Sequence, residues 1–171
     1  MFNIKKFFAA VFAAALILQS AVNVFGAASP IDTAGHYNEE AIEILCGLEL
    51  INGYEDGSFR PESNITRAEL VTLIIRLLGL SDIAGTDKQI FSDVTQDHWA
   101  AAYINYAASM NLIDGYPDKT FGPERNISLD ETVKIIVSAL GFDYEAQQKG
   151  GYPTGYNAVA LRLKLLDKLK N

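Results

Sequence analysis

Asn52-Gly53-Tyr54-Glu55-Asp56-Gly57-Ser58-Phe59-Arg60-Pro61-Glu62-Ser63-Asn64-Ile65-Thr66 lies without a gap over Asp114-Gly115-Tyr116-Pro117-Asp118-Lys119-Thr120-Phe121-Gly122-Pro123-Glu124-Arg125-Asn126-Ile127-Ser128, at a constant offset of 62. The register extends in both directions. His36-Tyr37 meets His98-Trp99, Ile42 meets Ile104, Leu50-Ile51 meets Leu112-Ile113, and Leu78-Gly79 meets Leu140-Gly141. Chance does not produce so many matches in one register, so the chain holds two copies of one unit, and the repeat decides the fold. Tyr156 to Asp167 also resembles Tyr103 to Asp114, at an offset of 53. The organisation expected is therefore a first repeat at 29–80, a linker at 81–90, a second repeat at 91–149, and a third, incomplete repeat at 150–171.

Each copy reads as helix, loop, helix. Ala41, Ile42, Leu45 and Cys46, mirrored by Tyr103, Ile104, Ala107 and Ala108, fall three and four apart and predict one buried face on the first helix. Cys46 stands opposite an alanine, which makes it a small core residue rather than a reactive thiol. The loop carries Gly, Asp and Pro, with Phe59 and Phe121 as plugs into the core. The second helix opens with Thr66-Arg67-Ala68-Glu69 in one copy and Ser128-Leu129-Asp130-Glu131 in the other. Both are capping boxes, in which Thr66 or Ser128 caps the helix and Glu69 or Glu131 reaches back. Gly79 and Gly141 stop these helices. Two short helices cannot close a core alone, so the copies must pack on one another in an all-α fold.

The 171 residues carry 14 basic and 21 acidic side chains, a net charge of −7. No cluster of Lys and Arg stands out, which argues against nucleic acid as a partner. One cysteine excludes an internal disulfide and a cysteine-based zinc cluster. Residues 1–28 hold no acidic residue, begin with Lys5 and Lys6, run apolar from Phe7 to Leu18, and end on Gly26-Ala27-Ala28. That order is the order of a secretory signal peptide. The apolar run, about 18 Å long as a helix, is too short to span a bilayer, so the exported chain has no membrane segment.

Candidate chemistry is sparse. The loop Asn52-x-Tyr54-x-Asp56-Gly57 fails as a calcium loop, because Tyr54 and Ser63 occupy positions where oxygen ligands belong. His36 and His98 sit in separate copies, as core or capping residues rather than one metal site. Asp56, Asp118, Glu69 and Glu131 have turn and cap roles, which leaves no carboxylate pair for hydrolysis. The reading is of a protein without catalytic residues, metal or cofactor. Arg67 breaks a local rule, since a cation at a helix N-terminus opposes the macrodipole. It is either a solvated surface arginine or, beside helix-terminal N–H groups, part of a carboxylate site. Leu129 stands in its place in the second copy. Trp99 and its counterpart Tyr37 fit a sugar-stacking face and core packing equally.

His98-Trp99-Ala100, the run Asp114-Gly115-Tyr116-Pro117-Asp118-Lys119-Thr120-Phe121-x-Pro123, and Ile65-Thr66-Arg67-Ala68-Glu69 together resemble the signature of the S-layer homology (SLH) domain. The resemblance covers residues 30–142 strongly and 150–169 weakly. It implies helix-loop-helix repeats packed as a pseudo-threefold bundle in a secreted protein of the bacterial cell wall. It also implies a non-catalytic anchor that binds secondary cell-wall polysaccharide, often carrying ketal-linked pyruvate, in grooves between repeats. On that resemblance the polysaccharide-binding residues are Arg67, Trp99, Asp93, Tyr37, Gly53, Tyr54, Gly115 and Tyr116. The arginine of the ITRAE-like motif is commonly among the residues contacting the pyruvylated sugar, so Leu129 is expected to impair the second copy's groove for an anion. Asp93 belongs to a Phe-x-Asp-Val opening, whereas Asp32 of Pro30-Ile31-Asp32-Thr33 lies one residue closer to its histidine, and spacing alone does not pair the two. The competing reading is a structural module that assembles with other SLH-bearing chains, or an anchor fragment without its cargo domain.

Overall fold

Capping boxes and apolar spacing give helices, and helices make up the regular structure of the described residues, 30–82 and 88–167 of this computed structural model. The secretory-signal reading of residues 1–28 lies outside them. There are six: α1 (Glu39–Gly47), α2 (Arg67–Leu77), α3 (Ala101–Ser109), α4 (Leu129–Ala139), α5 (Asp143–Gln148) and α6 (Thr154–Arg162). One isolated antiparallel bridge joins Thr66 and Asn126. No helix among the described residues is long and apolar enough to cross a membrane. The chain divides into two units, residues 30–64 and 65–167.

The first unit holds α1 and the first-copy loop. Of the four apolar residues expected to form its buried face, only Ile42 is buried; Leu45 and Cys46 are half-buried and Ala41 is exposed. One nine-residue helix and one loop cannot enclose four apolar side chains. Burial nonetheless raises the Cys46 thiol above its ordinary pKa, in keeping with an unreactive residue.

The second unit is built from both copies. Ala68, Leu70, Val71, Ile74 and Ile75 of α2 share a core with Phe91, Val94, Ile104, Ala107, Leu112, Ile113 and Phe121, and with Ile135 and Ala139 of α4. The second helix of the first copy thus packs on the first helix of the second. At roughly 25 cal/mol per Å² of apolar area, each Val, Leu, Ile or Phe among them contributes about 1.5–3 kcal/mol on full burial. The opposite face of α4 places Val133 and Val137 in a second cluster with Ala146, Tyr156, Val159 and Ala160. The short α5 was not legible in the repeat pattern. It meets α6 so closely that a Cβ on Gly155 would lie 1.9 Å from the Ala146 carbonyl oxygen.

One C-terminal turn recurs three times. Glu49, Asn111 and Lys164 take φ values of 57°, 57° and 59° just beyond α1, α3 and α6, and each donates to the carbonyl three residues back. The first pair is 62 residues apart and the second 53, so the two sequence offsets coincide with equivalent backbone positions. Gly79 and Gly141, at φ 67° and 78°, close α2 and α4 in the left-handed conformation that glycine adopts at little cost.

Candidate functional site

The loop after each first helix is held by side chains spaced far apart in sequence. In the first copy the N–H groups of Phe59 and Arg60 donate to the two oxygens of Asp32, each at 2.7 Å. In the second, Phe121 and Gly122 donate to Asp93 at the same distances. Asp32 and Asp93 are therefore equivalent in space despite their different spacing from the histidines. Each loop closes through a tyrosine N–H, Tyr54 to Ser58 O and Tyr116 to Thr120 O, both 2.7 Å. His36 Nδ1 accepts from Asn38 N and His98 Nδ1 from Ala100 N at 3.1 Å, which leaves the proton on Nε2 to donate to Glu62 and Glu124 at 2.8 and 2.9 Å. The two histidines are helix-entry clamps. Their neighbours Tyr37 and Trp99 are 82% and 56% exposed and lie beside the imidazole rings.

Arg67 reaches the loop of the other copy. The capping box at Thr66 and Glu69 fixes the start of α2, and the N–H groups of Arg67 and Ala68 donate to Arg125 O and Pro123 O, both 3.0 Å. Its side chain is 5% exposed. The guanidinium donates to Phe121 O at 2.8 Å, Asp114 O at 3.3 Å, and Glu131 Oε1 at 2.8 Å. It also lies over the rings of Phe121 and Tyr116, at 4.4 and 5.0 Å. Tyr116 donates its hydroxyl to the same Glu131 oxygen at 2.9 Å. Burial opposes ionisation of Glu131. The Ser128 N–H, the Tyr116 hydroxyl and Arg67 outweigh it, so the carboxyl rests below its ordinary pKa. Burial and the hydrogen bond to Glu131 push the Tyr116 phenol up.

Outside this buried pair lies an open groove of about 600 Å³, lined by Asp93, Tyr116, Pro117, Asp118, Thr120, Gly122 and Arg125. Arg125 extends its guanidinium over the Tyr116 ring at 4.8 Å. Asp118 accepts from the Thr120 N–H and hydroxyl at 3.0 and 2.6 Å.

Among the residues singled out from sequence, Asp93 and Tyr116 line this groove, and Arg67 lies behind it. Gly115 makes the loop possible, since a Cβ there would stand 2.4 Å from Phe91 and 2.6 Å from Thr120 O. Gly53 has the same relation to Ser58 O at 2.4 Å, beside a half-exposed Tyr54 in the first copy. Trp99 is not among the lining residues. Leu129 is 56% exposed, and the arginine it replaces serves the second copy's loop from the first copy's helix. The anion deficit expected from Leu129 therefore does not attach to the second-copy loop. Arg125 was missed; the available signal was Gly122 standing where the first copy has Arg60.

The S-layer homology domain model matches residues 32–71 and 90–133. The chain is 33% identical over 167 residues to a middle cell wall protein of Brevibacillus brevis, covering 94% of this chain and 16% of that protein. It is 45% identical over 92 residues to a cellulosome-anchoring protein of Acetivibrio thermocellus, covering 53% of this chain and 21% of the relative. Over 108 residues it is 30% identical to an amylopullulanase of Thermoanaerobacterium thermosulfurigenes, covering 63% of this chain and 6% of that protein. The chain thus spans less than a quarter of each of these relatives.

Proposed function

Because the chain belongs to the S-layer homology family, we propose that this cell-surface protein is a non-catalytic anchor that binds secondary cell-wall polysaccharide, including its pyruvate-ketal form. The second-copy groove is its principal contact. The observation that carries this reading is the meeting of Tyr116, Arg125 and hydrogen-bonding groups in one open groove, on a loop locked by Asp93 and Arg67. Polysaccharide recognition needs such a rigid polar surface, since a mobile loop would lose ordering entropy on binding. Trp99 and Tyr37 offer exposed rings for stacking on sugars. Arg67 acts as a positioning residue, holding Tyr116 and Glu131. Gly53 and Gly115 let the loops close, and Tyr54 plays the part of Tyr116 in the first copy.

Sedimentation of the exported protein with purified native cell walls tests the reading. Binding that survives salt and weakens when the walls are chemically stripped of pyruvate supports it. No binding to either wall preparation overturns it. The assembly reading is favoured by the exposure of Leu129, Tyr144 and Leu161, at 56%, 80% and 50%. Concentration-dependent sedimentation velocity without wall binding would select it.

A further inference from the structure

The second copy shows what covers a loop of this kind. Leu112, Ile113, Phe121 and Pro123 are all buried, and α2 supplies the cover with Ala68, Val71 and Ile75, none more than 1% exposed. Four loop carbonyls are satisfied by the same helix. The Arg67 guanidinium donates to Phe121 O and Asp114 O, and the N–H groups of Arg67 and Ala68 donate to Arg125 O and Pro123 O.

The same positions of the first copy are shaped alike and left uncovered. Leu50, Ile51, Phe59 and Pro61 are only half-buried. On and just beyond α1, Ile44 and Leu48 are 50% and 53% exposed, whereas their counterparts Tyr106 and Met110 pack against the shared core. Among the described residues, no hydrogen bond reaches the carbonyls of Asn52, Phe59, Pro61 or Ser63, the counterparts of the four that α2 satisfies. Nor does Asn64 make the bridge that Asn126 makes with Thr66. The loop is nonetheless fixed, because Asp32 holds Phe59 and Arg60, and Tyr54 N–H closes on Ser58 O. An apolar face rimmed by unpaired acceptors fits an apolar partner that brings donors.

Charge narrows the partner. Residues 30–64 carry eight acidic side chains and one basic one. That one, Arg60, lies over Tyr54 at 4.0 Å and donates to Asp56 at 2.7 Å, so it is already engaged. The cation that would fill the place of Arg67 must come from outside this unit. A second copy of the chain does not supply it, since its α2 already lies on its own second-copy core and its α4 opens with Leu129.

We propose that the first-copy loop and α1 form a docking surface for a helix of another protein, one that opens, as α2 does, with a capping box and an arginine in its first turn. The arginine donates to the carbonyls of Asn52 and Phe59, and the apolar side of the helix covers Leu48, Ile51 and Phe59. This docking does not rest on saccharide binding, which is assigned to the second-copy groove.

The test uses the exported protein and a synthetic peptide of residues 64–79, stapled through positions 73 and 77 to hold the helix, with an Arg67→Leu peptide as control. Two signals are followed: the protein's amide NMR shifts and the alkylation rate of Cys46, its one cysteine. Cys46 reports on the face because its counterpart Ala108 packs against the covered core. The expected result is shifts at Leu48, Ile51 and Phe59 but not at Leu112 and Phe121, with slower alkylation of Cys46. The Arg67→Leu peptide should bind about tenfold or more weakly, having lost its charge-assisted contacts. Leu48→Glu in the protein, at a position already exposed, should abolish binding with circular dichroism unchanged. No shifts, shifts confined to the second loop, or equal affinity of the two peptides overturns the docking surface. Protection of Cys46 that grows with protein concentration and needs no peptide overturns it as well, because a second copy would then be the occupant.

Discussion

The first-copy and second-copy loops close with matching hydrogen bonds, an aspartate clamp and a histidine–glutamate clamp, yet they differ in burial. Phe121 is wholly buried beside Phe91, their rings 5.3 Å apart, whereas Phe59 is half-buried and Ile31 of the first opening is 78% exposed. The second loop is also the one that Arg67 ties down. Contacts within each copy therefore set the shape of the turn, and neighbours from the other copy add to the burial of the second. One motif written twice gives one geometry with two degrees of burial.

The largest expected effect separates Arg67 from Leu129, its counterpart. Arg67→Ala takes the cationic partner from Glu131, which keeps the Ser128 N–H and the Tyr116 hydroxyl, and leaves the carbonyls of Phe121 and Asp114 without the guanidinium. Breaking such a pair from one side costs about 3–5 kcal/mol. Exposed Leu129→Ala should stay within about 0.5 kcal/mol. Urea denaturation of the two variants measures the contrast. Equal midpoints would mean that Arg67 does not lock the second loop.

A smaller contrast lies in the two phenylalanines. Phe121→Ala opens a cavity in a filled core, at about 3–5 kcal/mol. Phe59→Ala removes a ring already partly in water and should cost about 2 kcal/mol less, because less apolar area returns to solvent. Thermal melts of both variants decide this. A larger loss for Phe59 would reverse the assignment of the better-buried loop.

Much of this is legible in the sequence. Thr66, Glu69, Ser128 and Glu131 announce two helix starts because a capping box is local chemistry, and Gly79 and Gly141 announce the stops for the same reason. The repeat located the loops that hold Asp93, Gly115 and Tyr116. The partner of Arg67 was not legible, because Glu131 lies 64 residues away and already had a sufficient role as a cap. Nor was the direction of packing: the offset equates Arg67 with Leu129, whereas space joins it to the other copy's loop. Ile74 of α2 is likewise buried, 8% exposed, among residues of the second copy. Arg125 escaped notice because a one-to-one alignment hides a cation that moves three positions and reaches the same ring.

The finest test of the comparison is acid titration of the two turn aspartates. The Ser58 hydroxyl, the Ser58 N–H and Arg60 lower the Asp56 carboxyl from 3.8 to about 2. The Thr120 hydroxyl and N–H lower Asp118 from the same starting value, with no arginine joining them. A carboxyl depressed in the folded state favours folding above its unfolded pKa, and that contribution fades as pH falls from about 4 through the folded value. Both carboxyls are exposed to solvent, so the readout is local: the amide shifts of Ser58 and Thr120 between pH 5 and about 1.5. Arg60→Gln should move the Ser58 titration upward toward that of Thr120, while Arg125→Gln should leave the Thr120 titration unchanged, because Arg125 does not pair with Asp118. An upward shift of Thr120 in Arg125→Gln would mean that the second-copy arginine is already neutralised by its own loop. The two loops would then be electrostatically alike, and the distinction between a paired and an open cation would fall.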